Sequence, residues 1–240
     1  MEAGMEVTYL ESPIDAMFLI HKALSTEARQ VEEMVRRFQE GDSLQAIRMA
    51  FNLWAAALIF HAEREDQYMT APMPDFPPAR DNEAEHVDLG KMLDNLEGFL
   101  AQDNKRGLSV RVKSALLALH EEQHNELIER LQDVMEVLND EIGKSRIVAR
   151  TQRHLYQRVV ALRVSQDDHL ECEEQFVLPE IRQRFDEEEQ LEMMRRLLVD
   201  EEAEDPNWVL EWISPALTPA EQQVLTNLAA RFNAVGVAGD

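Results

Sequence analysis

Cysteine is almost missing. Cys172 is the only one in 240 residues, which excludes an internal disulfide and a cysteine-built zinc site. Glycine and proline are also scarce, at eight and nine residues, and aromatics make up 6% of the chain. That leaves too little turn chemistry and too few aromatic or β-branched runs for a sheet-dominated fold. Cations are short as well: 24 Lys and Arg face 47 Asp and Glu, a net charge of −23. Phosphate backbones and anionic lipid surfaces both require clustered cations, so neither nucleic acid nor membrane is expected as a partner. No run of about 18 apolar residues is available to span a bilayer. The opening MEAGMEVTYLESPIDAM lacks the basic start and apolar stretch of a secretory signal, so a cytoplasmic location is expected.

What the chain has is helical periodicity. Ser12-Pro13 supplies a cap and a first helical residue, and Ile14, Met17, His21, Leu24 and Ala28 follow on one stripe. Gly41-Asp42-Ser43 breaks that helix and caps a second, with Trp54, Ala57, His61 and Glu65 on its inner face. The proline-rich stretch 71–81 is a loop. Two more helices are expected over 82–102, carrying His86, and over 109–142, carrying His120 and His124. A fifth runs from 145 to about 184, with Leu155, Val159, Leu162, His169, Glu173 and Phe176 in register and Pro179 thinning its last turns. The remainder opens very acidic and then offers two short helices packed by Trp208 and Trp212. The expected architecture is an all-α, antiparallel up-down bundle over 1–185, with an acidic helical extension over 186–240 packed on it.

Six of the seven histidines fall on apolar stripes. Two of them head the same pattern, His61-x-x-x-Glu65 and His169-x-x-x-Glu173, which stacks an imidazole and a carboxylate one turn apart on one helix face. A carboxylate facing an apolar core is costly unless it is paired or bound to metal. His21 and His61 lie about 20 residues on either side of the 41–43 turn, which brings them to one height across a hairpin. His124 and His169 flank Gly143 with an offset of about seven residues, a looser match. Mixed imidazole and carboxylate donors suit iron, manganese or zinc, and helical bundles are established hosts for dinuclear centres. His154 lies 15 positions before His169, about 22 Å along a helix, and is expected at the surface. Cys172 is expected to act as a small buried hydrophobe.

The segments LIHKAL (19–24), FHAEREDQYMTAPM (60–73), EEQHNELIERL (121–131) and HLECEEQFVLPEI (169–181) resemble the hemerythrin-like, HHE cation-binding family. The resemblance implies a four-helix core holding two iron ions bridged by oxo or hydroxo. The fifth long helix and the short helical annex would be additions to that core. By position it implies His21, His61, Glu65, His169 and Glu173 as ligands, with the two glutamates bridging. The third-helix ligand stays open between His86 and the His120/His124 pair, with His124 slightly favoured. Leu24, Ala57, Leu127 and Phe176 are expected to wall the centre from water.

The implied function is the binding of O₂, NO or a related small oxidant, for sensing, iron handling or protection against oxidants. A metal- and gas-binding protein is favoured over an enzyme. The enzymatic alternative is a di-iron oxidoreductase that decomposes peroxide or repairs iron centres. The third alternative is a metal-free helical interaction protein that uses the acidic stretch 186–205.

Overall fold

The computed structural model describes residues 6–39, 45–75, 130–131 and 149–235. Every regular element among them is helical, as the composition requires. In chain order these are α1 (Met17–Arg37), α2 (Gln45–Glu65), α3 (Ala149–Cys172), α4 (Leu178–Arg184), α5 (Glu187–Leu198), α6 (Trp208–Ile213) and α7 (Pro219–Val235). Short 3₁₀ turns stand at Pro13–Ala16 and Ser214–Ala216, and π-turns at Asp66–Thr70 and Glu173–Val177. No described helix is long and apolar enough to cross a membrane. The helices expected at 82–102 and 109–142 lie outside the described residues, except for 130–131, which are helical.

The chain forms two compact units, Ser25–His169 and Met1–Leu24 with Leu170–Asp240. In the first unit, α1 and α3 run antiparallel, because their bonds descend one helix while climbing the other. Gln152 donates to the Val35 and Phe38 carbonyls, Arg163 to Glu32, and Ser25 Oγ to Asp167. Ala28, Val31 and Val35 of α1 and Leu155, Val159 and Leu162 of α3 are buried, the faces their spacing predicts. From Ala55 to Ala62, α2 is buried at every position, so this helix is enclosed on all sides rather than facing water along one edge.

The second unit is built around two carboxylates. Asp15 accepts hydrogen bonds from the Glu11 and Ser12 amides, which satisfies donors at the start of the Pro13–Ala16 turn, and it also accepts from Arg182 Nε of α4 at 2.8 Å. Glu221, fully buried in the first turn of α7, accepts from the Thr218 amide and from the Val7 amide. Lys22 reaches the same carboxylate at 2.6 Å. Burial alone raises the pKa of a carboxyl, yet the Lys22 ammonium and the two amides hold Glu221 below its usual range.

Helix α5 differs from expectation, since the acidic run obscured it. Asp186 caps the Glu188 and Glu189 amides, and Glu189 returns a bond to the Asp186 amide. Acids in a first turn suit the helix dipole, so the run DEEE begins a helix instead of breaking one. Its buried face is Leu191, Met194 and Leu198, set against the Pro13–Ala16 turn and α7. Trp208 and Trp212, expected to pack the extension, lie beside two more deeply buried residues. Both are half-buried, and Trp208 donates to Asp200, while Val209 and Ile213 face inward.

Glu221→Gln keeps the shape but removes the charge that meets Lys22. The expected loss is about 1–3 kcal/mol, read as a lower urea midpoint with an unchanged slope.

Candidate metal centre

In unit Ser25–His169, Trp54, Ala57, His61 and Glu65 descend one face of α2 at spacings of three and four, and all are buried. His61 Nε2 stands 3.7 Å from Glu65 Oε2, and Glu65 is only 1% exposed. His169, on the buried stripe of α3, brings a ring nitrogen within 4.8 Å of a Glu65 oxygen. A carboxylate is thus held between two imidazoles inside an apolar core. In the other unit, His21 Nε2 lies 3.4 Å from Glu173 Oε2, and both residues are buried. Its second nitrogen, Nδ1, lies 2.9 Å from Glu174 Oε1. His86 and His124, the two candidates for the remaining helix, lie outside the described residues, as do His120, Leu127 and the side chain of His154.

Both His-x-x-x-Glu motifs lead directly into a π-turn. Ala71 N bonds the Asp66 carbonyl at 2.9 Å, five residues back, with Thr70 Oγ1 on the same oxygen at 3.1 Å. The Leu178 amide likewise bonds the Glu173 carbonyl. Such widened turns are rare and concentrate at functional sites. A proline follows each, Pro72 and Pro179, where a regular α-helix would lose a donor and clash with the preceding turn. Pro179 therefore does more than thin the helix, since the turn ahead of it changes register. Phe176, expected on the apolar wall, is instead 57% exposed. A turn closed five residues on gives the inward place to Val177, which is buried, while Leu24 and Ala57 face inward as expected.

Three residues beside the ligand candidates were not singled out from the sequence. Glu174 meets His21, Asp66 is buried directly after Glu65, and Gln166 is buried one turn before His169. Glu174 and Asp66 carry a readable signal, because the two motifs repeat more than His and Glu. His61–Glu65–Asp66–Gln67–Tyr68 and His169–Glu173–Glu174–Gln175–Phe176 share an acid, a glutamine and an aromatic in the same order. Gln166 carries no such signal.

Buried imidazole nitrogens beside buried carboxylate oxygens form a donor set for a borderline to hard divalent cation, iron among them. Carboxylates supply charge that neutral imidazoles do not, and the apolar surroundings limit competition from water. The residues present therefore fit a metal. At His21 two opposed effects meet. Burial pulls its pKa down, but the Glu173 and Glu174 oxygens more than reverse this and raise it to about 9. The Glu174 contact leaves Nε2 as the nitrogen directed at Glu173, the arrangement by which an outer carboxylate fixes the tautomer of a ligating histidine.

Residues 12–120 match the family described as Hemerythrin HHE cation binding domain. The matched segment contains His21, His61, Glu65 and His86, and it ends before His124, His169 and Glu173. No curated protein and no solved structure matches the chain. The family match implies cation binding, in keeping with the buried His and Glu sets.

Three measurements follow from His21. Removing its outer carboxylate by Glu174→Ala is expected to weaken metal binding about 10- to 100-fold, read by competition against a chelator. A cation at Nε2 must also displace a proton, so metal uptake at pH 7 releases protons, visible as a buffer-dependent heat in titration calorimetry. In the metal-free protein the sign is fixed by the raised pKa. The stability contributed by His21 is complete below pH 6.5 and is lost as pH rises through about 9. Thermal melts across that window are expected to fall, and a flat profile would contradict the assignment.

Proposed function

We propose that this protein, whose residues 12–120 match the Hemerythrin HHE cation binding domain, is a non-haem di-iron protein that binds O₂, NO or a related small oxidant. The observation that carries this reading is Glu65, 1% exposed, with His61 Nε2 at 3.7 Å and a His169 nitrogen within 4.8 Å. Burying a carboxylate beside two buried imidazoles in an apolar core is costly for packing alone, and a cation held by all three supports the arrangement.

Each side chain has a proposed role. His21, His61 and His169 would hold metal through imidazole nitrogen, and Glu65 and Glu173 would hold it through carboxylate oxygen. A further histidine, His86 or His124, completes the set. Iron held there would supply one-electron chemistry and would accept a small exogenous ligand. Glu174 holds the ring of His21 in place, so that the ligand does not have to be ordered at the moment of binding. Leu24 and Ala57 present apolar surface that excludes water. Binding of the small ligand is proposed ahead of catalysis. A cytoplasmic location is proposed alongside this role.

Untagged full-length protein, loaded anaerobically with ferrous iron, tests this directly. Elemental analysis is expected to give about two irons per chain, with near-ultraviolet and visible bands after oxidation that shift on adding azide. His61→Ala and Glu65→Ala are each expected to lower the iron content by about half or more. Absence of iron uptake by the wild-type chain would contradict the proposal.

A further inference from the structure

Trp54 and Gln166 form a buried polar pair that the ligand set leaves unexplained. Both are 0% exposed. The indole Nε1 donates to Gln166 Oε1 at 2.6 Å, and the indole is braced edge-on by Phe51 at 5.8 Å between ring centroids. An indole nitrogen can only donate, so this bond also settles which way the amide is turned. The oxygen faces Trp54 and the NH₂ faces away from it. Gln166 Nε2 is buried with no hydrogen-bond partner among the described residues. Unsatisfied buried donors are rare in native proteins, and each calls for an explanation.

The location supplies one. Gln166 lies three residues before His169 on α3, on the same face and one turn away. Trp54 lies on the stripe of α2 that continues through Ala57 to His61. Ala57 is the smallest residue of that stripe, so little side chain fills the level between the indole and the imidazole. The Trp54–Gln166 bond therefore crosses from α2 to α3 in the layer beside His61, Glu65 and His169, all within one compact unit. A leucine and a phenylalanine would have filled that layer without leaving a donor unsatisfied.

We infer that the Gln166 amide NH₂ is the hydrogen-bond donor for a small acceptor ligand, an anion or a diatomic, held beside the His61–Glu65–His169 set, and that Trp54 is the residue that orients it. This rests on the metal-centre reading above and adds to it a polar ligand subsite in an otherwise apolar surround. Gln166 acts on the ligand rather than on the metal, so its loss weakens ligand binding and leaves metal content intact.

The test uses the full chain and azide as the probe, with Gln166→Met and the double variant Trp54→Phe/Gln166→Met. Iron content is measured on the same samples. Both variants are expected to hold wild-type iron and to bind azide about tenfold more weakly, the share of one hydrogen bond to a charged ligand. The metal-free double variant gives a readout independent of the ligand. Replacing both partners with apolar groups of similar shape is expected to leave its melting temperature unchanged or higher, because the pair serves binding and not folding. Wild-type azide affinity at full iron content would overturn the inference, and so would a large drop in melting temperature of the double variant. A wild-type chain that takes up no iron would remove the metal-centre reading itself and the inference with it, an outcome told apart by the iron measurement.

Discussion

Two glutamates, Glu65 and Glu173, are held in apolar surroundings where a carboxylate is costly, and much of the structure follows from how that cost is met. Each has a histidine one turn before it in the chain, and each has a second imidazole near it within its own unit or on its own helix. His169 approaches Glu65, and His21 approaches Glu173. The enclosure of α2 from Ala55 to Ala62 makes the point sharply, since His61 and Glu65 lie at the end of a stretch with no solvent-facing side. An apolar residue at position 65 would be the better choice for stability alone. The placement is understandable as a site and hard to understand as packing.

The local backbone is shaped to the same end. A regular α-helix through Glu65 or Glu173 would keep the next apolar residue at the third position inward. The π-turns shift that role to Met69 and Val177, both buried. The acid that follows each glutamate is placed by the same turn. Glu174 lies against His21 Nδ1, and Asp66 is buried with its carbonyl shared by the Ala71 amide and the Thr70 hydroxyl. Prolines at 72 and 179 disfavour a regular continuation, so sequence and geometry agree on where the helix must change pitch. Beyond α4, Asp15 with Arg182 and Glu221 with Lys22 tie α4 and α7 to the first turns leading to His21. The acidic extension thus contributes to holding the helix that carries His21.

The helical class and the inward faces were legible because period and burial are the same physics. The stripe Ile14, Met17, His21, Leu24 is buried at every position. The burial of the five candidate ligands among the described residues was legible for a related reason: histidine and glutamate on an apolar stripe contradict the pattern and so stand out. Helix α5 was not legible, because capping acids at its start resemble a solvated run and hide Leu191, Met194 and Leu198. The exposure of Phe176 was not legible either, since a π-turn breaks the 3.6-residue rule on which stripe counting depends. Gln166 was passed over because a glutamine among apolar neighbours gives no signal until its bond to Trp54 is seen.

The central claim is the proposed metal role of Glu65, held between His61 and His169. Crystals of the iron-loaded full chain, measured at the iron absorption edge, address it most directly. An anomalous peak is expected beside the Glu65 carboxylate, with His61 and His169 among the ligands. Iron bound elsewhere, with none beside Glu65, would contradict it.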